Sequence, residues 1–295
     1  MGNDSGAVQH TEESTSRYVQ TAKWRLHYNE AGEGHPVILL HGIGPGATGW
    51  SNFSLNVEGL AKHCRVIALD FPGWGGSDPV SAEGSTRNGI NAESVRLLMD
   101  ALGIEKAALV GNSMGGTAVL EAMLTYPERI SHAVTMGSGL FKLPMMFIPE
   151  GQTEGLRIIW ETYANPTPEN FRRLVNIMVY DSSFVTDELV ELRTRLALDN
   201  QLHLDNWKKS PLGDAPGGFF AGATEMLTKL SQSDIPVLMI HGRDDRVVPM
   251  EYTLQGSALF KNCRAVLFNK CGHWAQIEHA DEFNRLLVSF LNLQA

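Results

Sequence analysis

The chain has 295 residues, with 33 acidic against 24 basic side chains for a formal net charge of −9, 43% apolar composition and three cysteines. A chain this long and apolar can bury roughly three quarters of its unfolded surface, which excludes disorder throughout and leaves one large domain or two small ones. The negative charge, with no run of Lys or Arg forming a basic stripe, argues against nucleic acid and anionic membrane surfaces as partners.

Cys64, Cys263 and Cys271 are odd in number and lack CxxC spacing, so neither a disulfide framework nor a zinc ribbon is expected, and a reducing compartment fits. Residues 1–16 are polar, lack an apolar core of the signal-peptide kind, and are expected to be a flexible lead-in. No stretch approaches the roughly 18 uninterrupted apolar residues of a membrane span, so a cytoplasmic location is expected. Met1-Gly2 begins like a myristoylation signal, but Gly6 stands where that signal needs Ser or Thr.

From there the chain alternates short apolar runs with helical patterns, the signature of a mostly parallel α/β sheet flanked by helices. Tyr18 to Tyr28 alternates and predicts an antiparallel hairpin at the sheet edge. Val37–Leu40, Val66–Leu69, Ala107–Val110, Ala133–Met136, Val237–Ile240 and Ala265–Phe268 are apolar throughout, as strands buried on both faces should be. Val95, Leu98, Met99 and Leu102 keep helical spacing, with Gly103 as the C-terminal cap. The alternation stops between about Phe141 and Pro211, where helical patterns follow one another, and an inserted helical cap is predicted over 141–211. Within it Thr167-Pro168 starts one helix, striped by Phe171, Leu174, Val175 and Met178, and Thr186 starts the next. Gly213 to Gly222 returns the chain to the sheet. The predicted organisation is therefore a core in two parts, 17–140 and 212–295, around the cap. Phe283, Leu286, Leu287, Phe290 and Leu291 close the core as a last helix, with Asp281 as its expected N-cap.

The strand Ala107–Val110 runs into Gly111-Asn112-Ser113-Met114-Gly115, a G-x-S-x-G sequence followed by a helical pattern. On the pentapeptide alone an ordinary serine in a glycine-rich turn would serve; the strand before and the helix after favour a nucleophile on a strained turn. A hydroxyl is a weak nucleophile and needs a base and an orienting acid. Both follow in the order this topology requires: Asp244-Asp245 after Val237–Ile240, and Gly272-His273-Trp274 after Ala265–Phe268. Asp245 is preferred to Asp244 because it stands three residues past Gly242, a full loop step beyond the strand end. The loop after Leu40 is expected to place the Ile43 N–H beside that of Met114 to hold an oxyanion. Gly44-Pro45-Gly46-Ala47-Thr48-Gly49 also matches the dinucleotide-binding G-x-G-x-x-G, with Asp70 further on. It starts too late after its strand, however, and leaves Ser113 and His273 unexplained. In the helix from Asp187, Leu189, Leu192 and Leu196 read as the buried stripe with Arg193 at its margin. There the guanidinium either snorkels to water or meets an anionic ligand.

These residues resemble, over nearly the whole chain, the meta-cleavage product hydrolases, carbon–carbon bond hydrolases of the α/β-hydrolase fold. The match rests on His41-Gly42-Ile43-Gly44-Pro45-Gly46-Ala47 with Asn52-Phe53, on Gly111 to Gly116, on Gly242-Arg243-Asp244-Asp245 with Pro249, and on Cys271-Gly272-His273-Trp274-Ala275-Gln276. The resemblance implies a Ser113, Asp245, His273 triad and a polar pocket of Gly42, Gly44, Asn52, Asn112, Arg193 and Trp274. It also implies small-molecule substrates, 2-hydroxy-6-oxo-hexa-2,4-dienoates, with no metal or cofactor, in a homo-oligomer. Ile43 departs from the three consecutive glycines that many members carry after the histidine, and its side chain is expected to narrow the pocket. Met145, Met146, Phe147, Trp160 and Tyr163 are expected to form an apolar chamber for an aryl tail. A carboxylesterase using the same triad is the alternative reading.

Overall fold

The computed structural model describes residues 10–138, 153–210 and 223–292. The elements run α1 (Glu12–Thr15), β1 (Ser16–Gln20), β2 (Arg25–Ala31), β3 (Pro36–Leu40), α2 (Gly49–Leu60), β4 (Arg65–Leu69), α3 (Arg87–Ala101), β5 (Ala107–Asn112), α4 (Met114–Thr125) and β6 (Ile130–Met136). They continue with α5 (Glu154–Ala164), α6 (Pro168–Met178), α7 (Asp187–Leu198), α8 (Gln201–Lys209), α9 (Ala223–Gln232), β7 (Val237–Gly242), α10 (Glu251–Leu259), β8 (Cys263–Phe268), α11 (Ala275–Glu278) and α12 (Ala280–Phe290).

The strands form one sheet in the order β1-β2-β4-β3-β5-β6-β7-β8, antiparallel at β1/β2 and β2/β4 and parallel from β4 onward. Side chains alternate across a strand, so β3 feeds two cores. Ile38 and Leu40 pack on the side of α3 and α4, and Val37 and Leu39 on the side of α2 and α12. The crossovers keep every parallel strand running the same way, which gathers the loops after β3, β5, β7 and β8 at one end of the sheet. That end is where ligands bind in open α/β sheets.

The helix starts follow local chemistry. Thr167 Oγ1 accepts the Asn170 N–H, Pro168 occupies the first turn where no N–H is needed, and Thr186 caps α7 through the Leu189 N–H. Gly103 takes φ +65° just past α3.

The structure differs from the sequence expectations at four places. Of the segment expected to be flexible, 1–16, the described part is held: Thr11 caps α1, and His10 Nδ1 lies 2.6 Å from Glu58 Oε2. The strand at Ala265–Phe268 is the sheet's outer edge, so Ala265 and Leu267 are exposed; its apolar run does not mark burial on both faces. Asp281 lies inside the first turn of α12, whose N-cap position is His279, where it favours the helix dipole without capping it. In α7 the buried residues are Val190, Arg193, Thr194 and Ala197. The buried stripe is thus rotated by one residue, and Arg193 sits at its centre instead of its margin. Met145, Met146, Phe147 and the stretch Gly213 to Gly222 lie outside the described residues, as do both ends of the predicted 141–211 cap. Among the described residues from 153 to 210 there are helices and a single 3₁₀ turn but no strand.

Candidate active site

The site is built from the ends of four parallel strands, with α2 and the helices α5–α7. Ser113 follows β5 directly with φ 55° and ψ −117°, a conformation that a side chain rarely adopts and that lifts the residue out of the strand line. The turn closes only because its flanking residues lack side chains. A Cβ on Gly111 would stand 2.2 Å from the Gly115 backbone, and one on Gly115 would stand 2.1 Å from Leu40 O. Met114 opens α4, so its N–H is one of the helix's free donors.

Asp245 and His273 meet across the loops after β7 and β8, with Asp245 Oδ2 2.7 Å from His273 Nδ1. The other carboxylate oxygen accepts the N–H groups of Val247 (2.7 Å) and Val248 (3.0 Å), and His241 Nε2 lies 3.2 Å from Oδ2. Burial alone would push the Asp245 carboxyl up. The charge of His273 and the hydrogen bonds from His241 and His273 outweigh it and hold the group well below the usual carboxylate range. Asp244 is different: it is partly exposed, its Oδ1 lies 3.6 Å from Arg243, and its Oδ2 has no partner. The His273 N–H donates to Met178 O at 2.7 Å, so α6 touches the base loop directly.

On the far side of Ser113 the loop after β3 is set carbonyl by carbonyl. Phe71 N–H donates to His41 Nε2 (3.1 Å), which leaves the proton on Nδ1 to donate to Gly42 O (2.8 Å). Burial pushes His41 down to about 4, so the ring is neutral at pH 7. Because a peptide group is planar and trans, fixing Gly42 O fixes the opposing N–H of Ile43. Tyr163 Oη donates to Ile43 O at 2.6 Å, and Trp74 Nε1 to Gly44 O at 3.3 Å.

Gly42, Ile43, Gly44, Asn52, Asn112, Ser113, Arg193, His273 and Trp274 line one narrow cleft, together with Ala47, Ile159 and Met178. Asn112 splits its amide: Nδ2 donates to His273 O (3.1 Å) and Met136 O (3.3 Å), while the buried Oδ1 has no partner. Asn52 Oδ1 accepts the Gly42 N–H at 3.4 Å. Arg193 is 2% exposed; its Nη1 donates to Ser51 Oγ at 3.2 Å, its guanidinium sits 5.7 Å from the Trp274 ring centre, and its Nε has no partner. Among the described residues no carboxylate pairs with it. Burial pulls it down to about 10, which still leaves it charged at neutral pH. A buried cation without a counter-ion is costly, and an anionic ligand would relieve it.

Two expected residues fall elsewhere. Trp160 and Tyr163 do not line this cleft. They stack on Trp207, at ring distances of 5.9 and 4.7 Å, in a cluster that continues to Trp74 and His203. Asp70, the acid of the dinucleotide reading, is fully occupied by His27 Nδ1 (2.7 Å) and the N–H groups of Gly49 (2.7 Å) and Gly76 (3.0 Å). Among the described residues no cluster of His, Cys, Asp or Glu is arranged to hold a metal, and no helix is long and apolar enough to cross a membrane.

Residues 35–280 match the alpha/beta hydrolase fold family. A 2-hydroxy-6-oxononadienedioate/2-hydroxy-6-oxononatrienedioate hydrolase from Paraburkholderia xenovorans is 44% identical over 287 residues, spanning 95% of this chain and 96% of that one. Its counterpart from Burkholderia vietnamiensis is 43% identical and spans 96% and 98%. Among solved structures, the meta-cleavage product hydrolase of Pseudomonas fluorescens superposes with a TM-score of 0.79 at 34% identity, covering 94% of this chain and 97% of that one. The chain belongs to the meta-cleavage product hydrolases.

A further member of that family, the 2-hydroxy-6-oxo-6-phenylhexa-2,4-dienoate hydrolase of a Rhodococcus strain, has a TM-score of 0.79 at 28% identity and covers 94% of this chain and 98% of its own. As a meta-cleavage product hydrolase the protein is an enzyme that hydrolyses a carbon–carbon bond in 2-hydroxy-6-oxo-dienoates from aromatic degradation. His41, Tyr163, His241 and Glu278 escape sequence reasoning because their partners are chiefly backbone atoms or a residue already paired. The only signal was the position of His41 and His241 at strand ends.

Proposed function

We propose that the cleft after β3, β5, β7 and β8 binds a 2-hydroxy-6-oxo-dienoate with its carboxylate at Arg193 and its C6 carbonyl at Ser113. The observation that carries this is the buried guanidinium with no carboxylate partner, in the same cleft as Ser113 and His273. The helices α5–α7 act as a cap, since Ile159, Met178 and Arg193 close the cleft from above.

Ketonisation moves the dienol proton to C5, which turns that carbon into a leaving group with a stabilised carbanion. His273, held by Asp245, moves the protons, and Ser113 supplies the hydroxyl at C6. The N–H groups of Ile43 and Met114 take the negative charge that develops on the C6 oxygen. When the C5–C6 bond breaks, its electrons pass through C5, already protonated in the ketonisation, to the C2 oxygen of a dienolate whose carboxylate faces Arg193, and that oxygen takes the proton to give the 2-hydroxydienoate. Water completes the other half as a carboxylic acid. The relatives at 43–44% identity are named for a dioate, whereas the phenyl-dienoate hydrolase is only 28% identical, which favours a tail bearing a second carboxylate over an aryl tail. The reading includes a homo-oligomer acting in the cytoplasm, in keeping with three free cysteines.

The test is bleaching of yellow dienoates with methyl, phenyl and carboxyethyl tails by the wild type and Arg193→Gln, beside a neutral aryl ester. Losing the partner of a buried anion costs about 2–5 kcal/mol, so kcat/KM for dienoates should fall by roughly 30-fold or more. The ester, with no carboxylate, should stay within about threefold. Equal losses on both substrates would mean that Arg193 only supports α7.

A further inference from the structure

Three successive carbonyls of the loop after β3 each receive a side-chain hydrogen bond, from His41, Tyr163 and Trp74 in turn. His41 and Trp74 belong to the sheet end. Tyr163 belongs to α5, and its bond to Ile43 O spans 120 residues of sequence. We propose that Tyr163 is a positioning residue for the oxyanion loop, so that the Ile43 N–H, oriented by His41 through Gly42 O, is held at its place in the cleft only while α5 is seated on the core. The inference rests on the reading of Ser113 as nucleophile and of Ile43 and Met114 as oxyanion donors.

The direction of the bond is fixed by its partners. A carbonyl cannot donate, so the Tyr163 hydroxyl gives its proton to Ile43 O. The neighbouring His203 Nε2, 3.3 Å from the Tyr163 hydroxyl oxygen, must then be the donor to that oxygen. Burial pushes His203 down to about 3, so the ring is neutral at pH 7 and carries one N–H for this contact. The Tyr163 ring is held flat against Trp207, with 16° between their planes, so the hydroxyl has little freedom to follow a moving loop. A short chain of contacts therefore runs from α8 through α5 to the peptide that joins Ile43 and Gly44. That peptide shares the Ile43 Cα with the plane carrying the Ile43 N–H, so a displacement of Ile43 O shifts the Cα and carries with it the N–H, whose orientation within its own plane is set through Gly42 O by His41. Catalytic donors need to sit within about 2.7–3.1 Å of the developing oxyanion, and removing one outright costs about 10²–10³ in rate. Loosening one should cost less.

Tyr163→Phe keeps the stack on Trp207 and removes only the hydroxyl. Three quantities are read: kcat and KM on a dienoate, the rate at which a fluorophosphonate labels Ser113, and the affinities of an aryl boronate and of benzoate. The boronate becomes a tetrahedral anion on the serine and needs the oxyanion donors; benzoate carries only a planar carboxylate. The expected result is a drop of roughly ten- to thirtyfold in kcat, labelling rate and boronate affinity. KM and benzoate affinity should stay within about twofold. Unchanged labelling and boronate affinity, with or without a lower melting temperature, would overturn the proposal and leave the hydroxyl as a tie between helix and loop. An equal fall in benzoate affinity would also overturn it, by showing general damage to the cleft. If the wild type itself resists the fluorophosphonate, the reading of Ser113 fails, and the proposal with it.

Discussion

At the scale of single residues, adjacent aspartates in one loop have opposite surroundings. The side chain of Asp245 is fully buried and takes hydrogen bonds from two backbone N–H groups and His273, while Asp244 is partly exposed and has one oxygen unpartnered. Asp245→Asn removes the acceptor that selects the His273 tautomer and stabilises its cation, and should lower kcat by at least about a hundredfold. Asp244→Asn should stay within about threefold, since it changes no contact to His273. Paired steady-state assays of the two variants decide the matter, and a reversed order would move the acid by one residue. The candidate positions Ser113, Asp245 and His273 were legible because each follows an apolar run at short distance, whether that run is a buried strand (β5, β7) or the edge strand β8. Arg193 was legible as a residue but not as a place. Apolar periodicity looks for leucines, and the buried face of α7 carries Val190, Thr194 and Ala197 around a guanidinium instead. Tyr163 read as part of an apolar chamber because its ring is apolar; the hydroxyl's partner is a backbone carbonyl, which leaves no trace in side-chain patterns.

At the scale of elements, the helical segment and the base loop are joined at one carboxylate. Glu278, at the end of α11, accepts the N–H groups of Tyr180 (2.7 Å) and Asp181 (3.0 Å) on one oxygen and that of Gly272 (2.7 Å) on the other. Arg246 adds a bond from Nη2 to Asn176 O at 2.8 Å, and the Gly272 backbone comes so close to α6 that a Cβ there would stand 2.6 Å from Met178 O. Glu278→Gln would turn one acceptor into a donor facing another donor. For partly exposed groups that should cost about 1–2 kcal/mol of stability, read as a lower urea midpoint with unchanged slope. An unchanged midpoint would show that water replaces the carboxylate without loss. Strand positions and the caps Thr167 and Thr186 could be read from the chain because their signals are local. The exposure of β8 could not, since only the strand order reveals which apolar run lies at the edge.

At the scale of the whole molecule, buried neutral histidines set a pH dependence. Burial lowers His41 to about 4 and His203 to about 3, against about 6.5 in an unfolded chain. Between those values the unfolded state binds more protons than the folded one, so stability rises with pH across the window and falls as the solution is acidified below about 6.5. His41 alone accounts for up to about 3 kcal/mol over that range. Asp245 acts in the same direction at lower pH: its depressed carboxyl stabilises the fold above its unfolded value, and that contribution is lost as acid protonates it. Urea denaturation at pH 7, 5.5 and 4.5 should show a steady loss of unfolding free energy. A flat profile would mean that both histidines reach water in the folded state.

The strand order has a temporal side as well. Ile43, Ser113, Asp245 and His273 come from loops after β3, β5, β7 and β8, and β8 joins the sheet only through β7. Parallel pairings of this kind link distant parts of the chain and form slowly. A partly folded chain in which β8 has not yet docked holds Ser113 on its turn, yet has no His273 beside it. Such a species can be compact and rich in helix while unable to carry out chemistry, so returning activity during refolding marks the last docking event and not the first collapse.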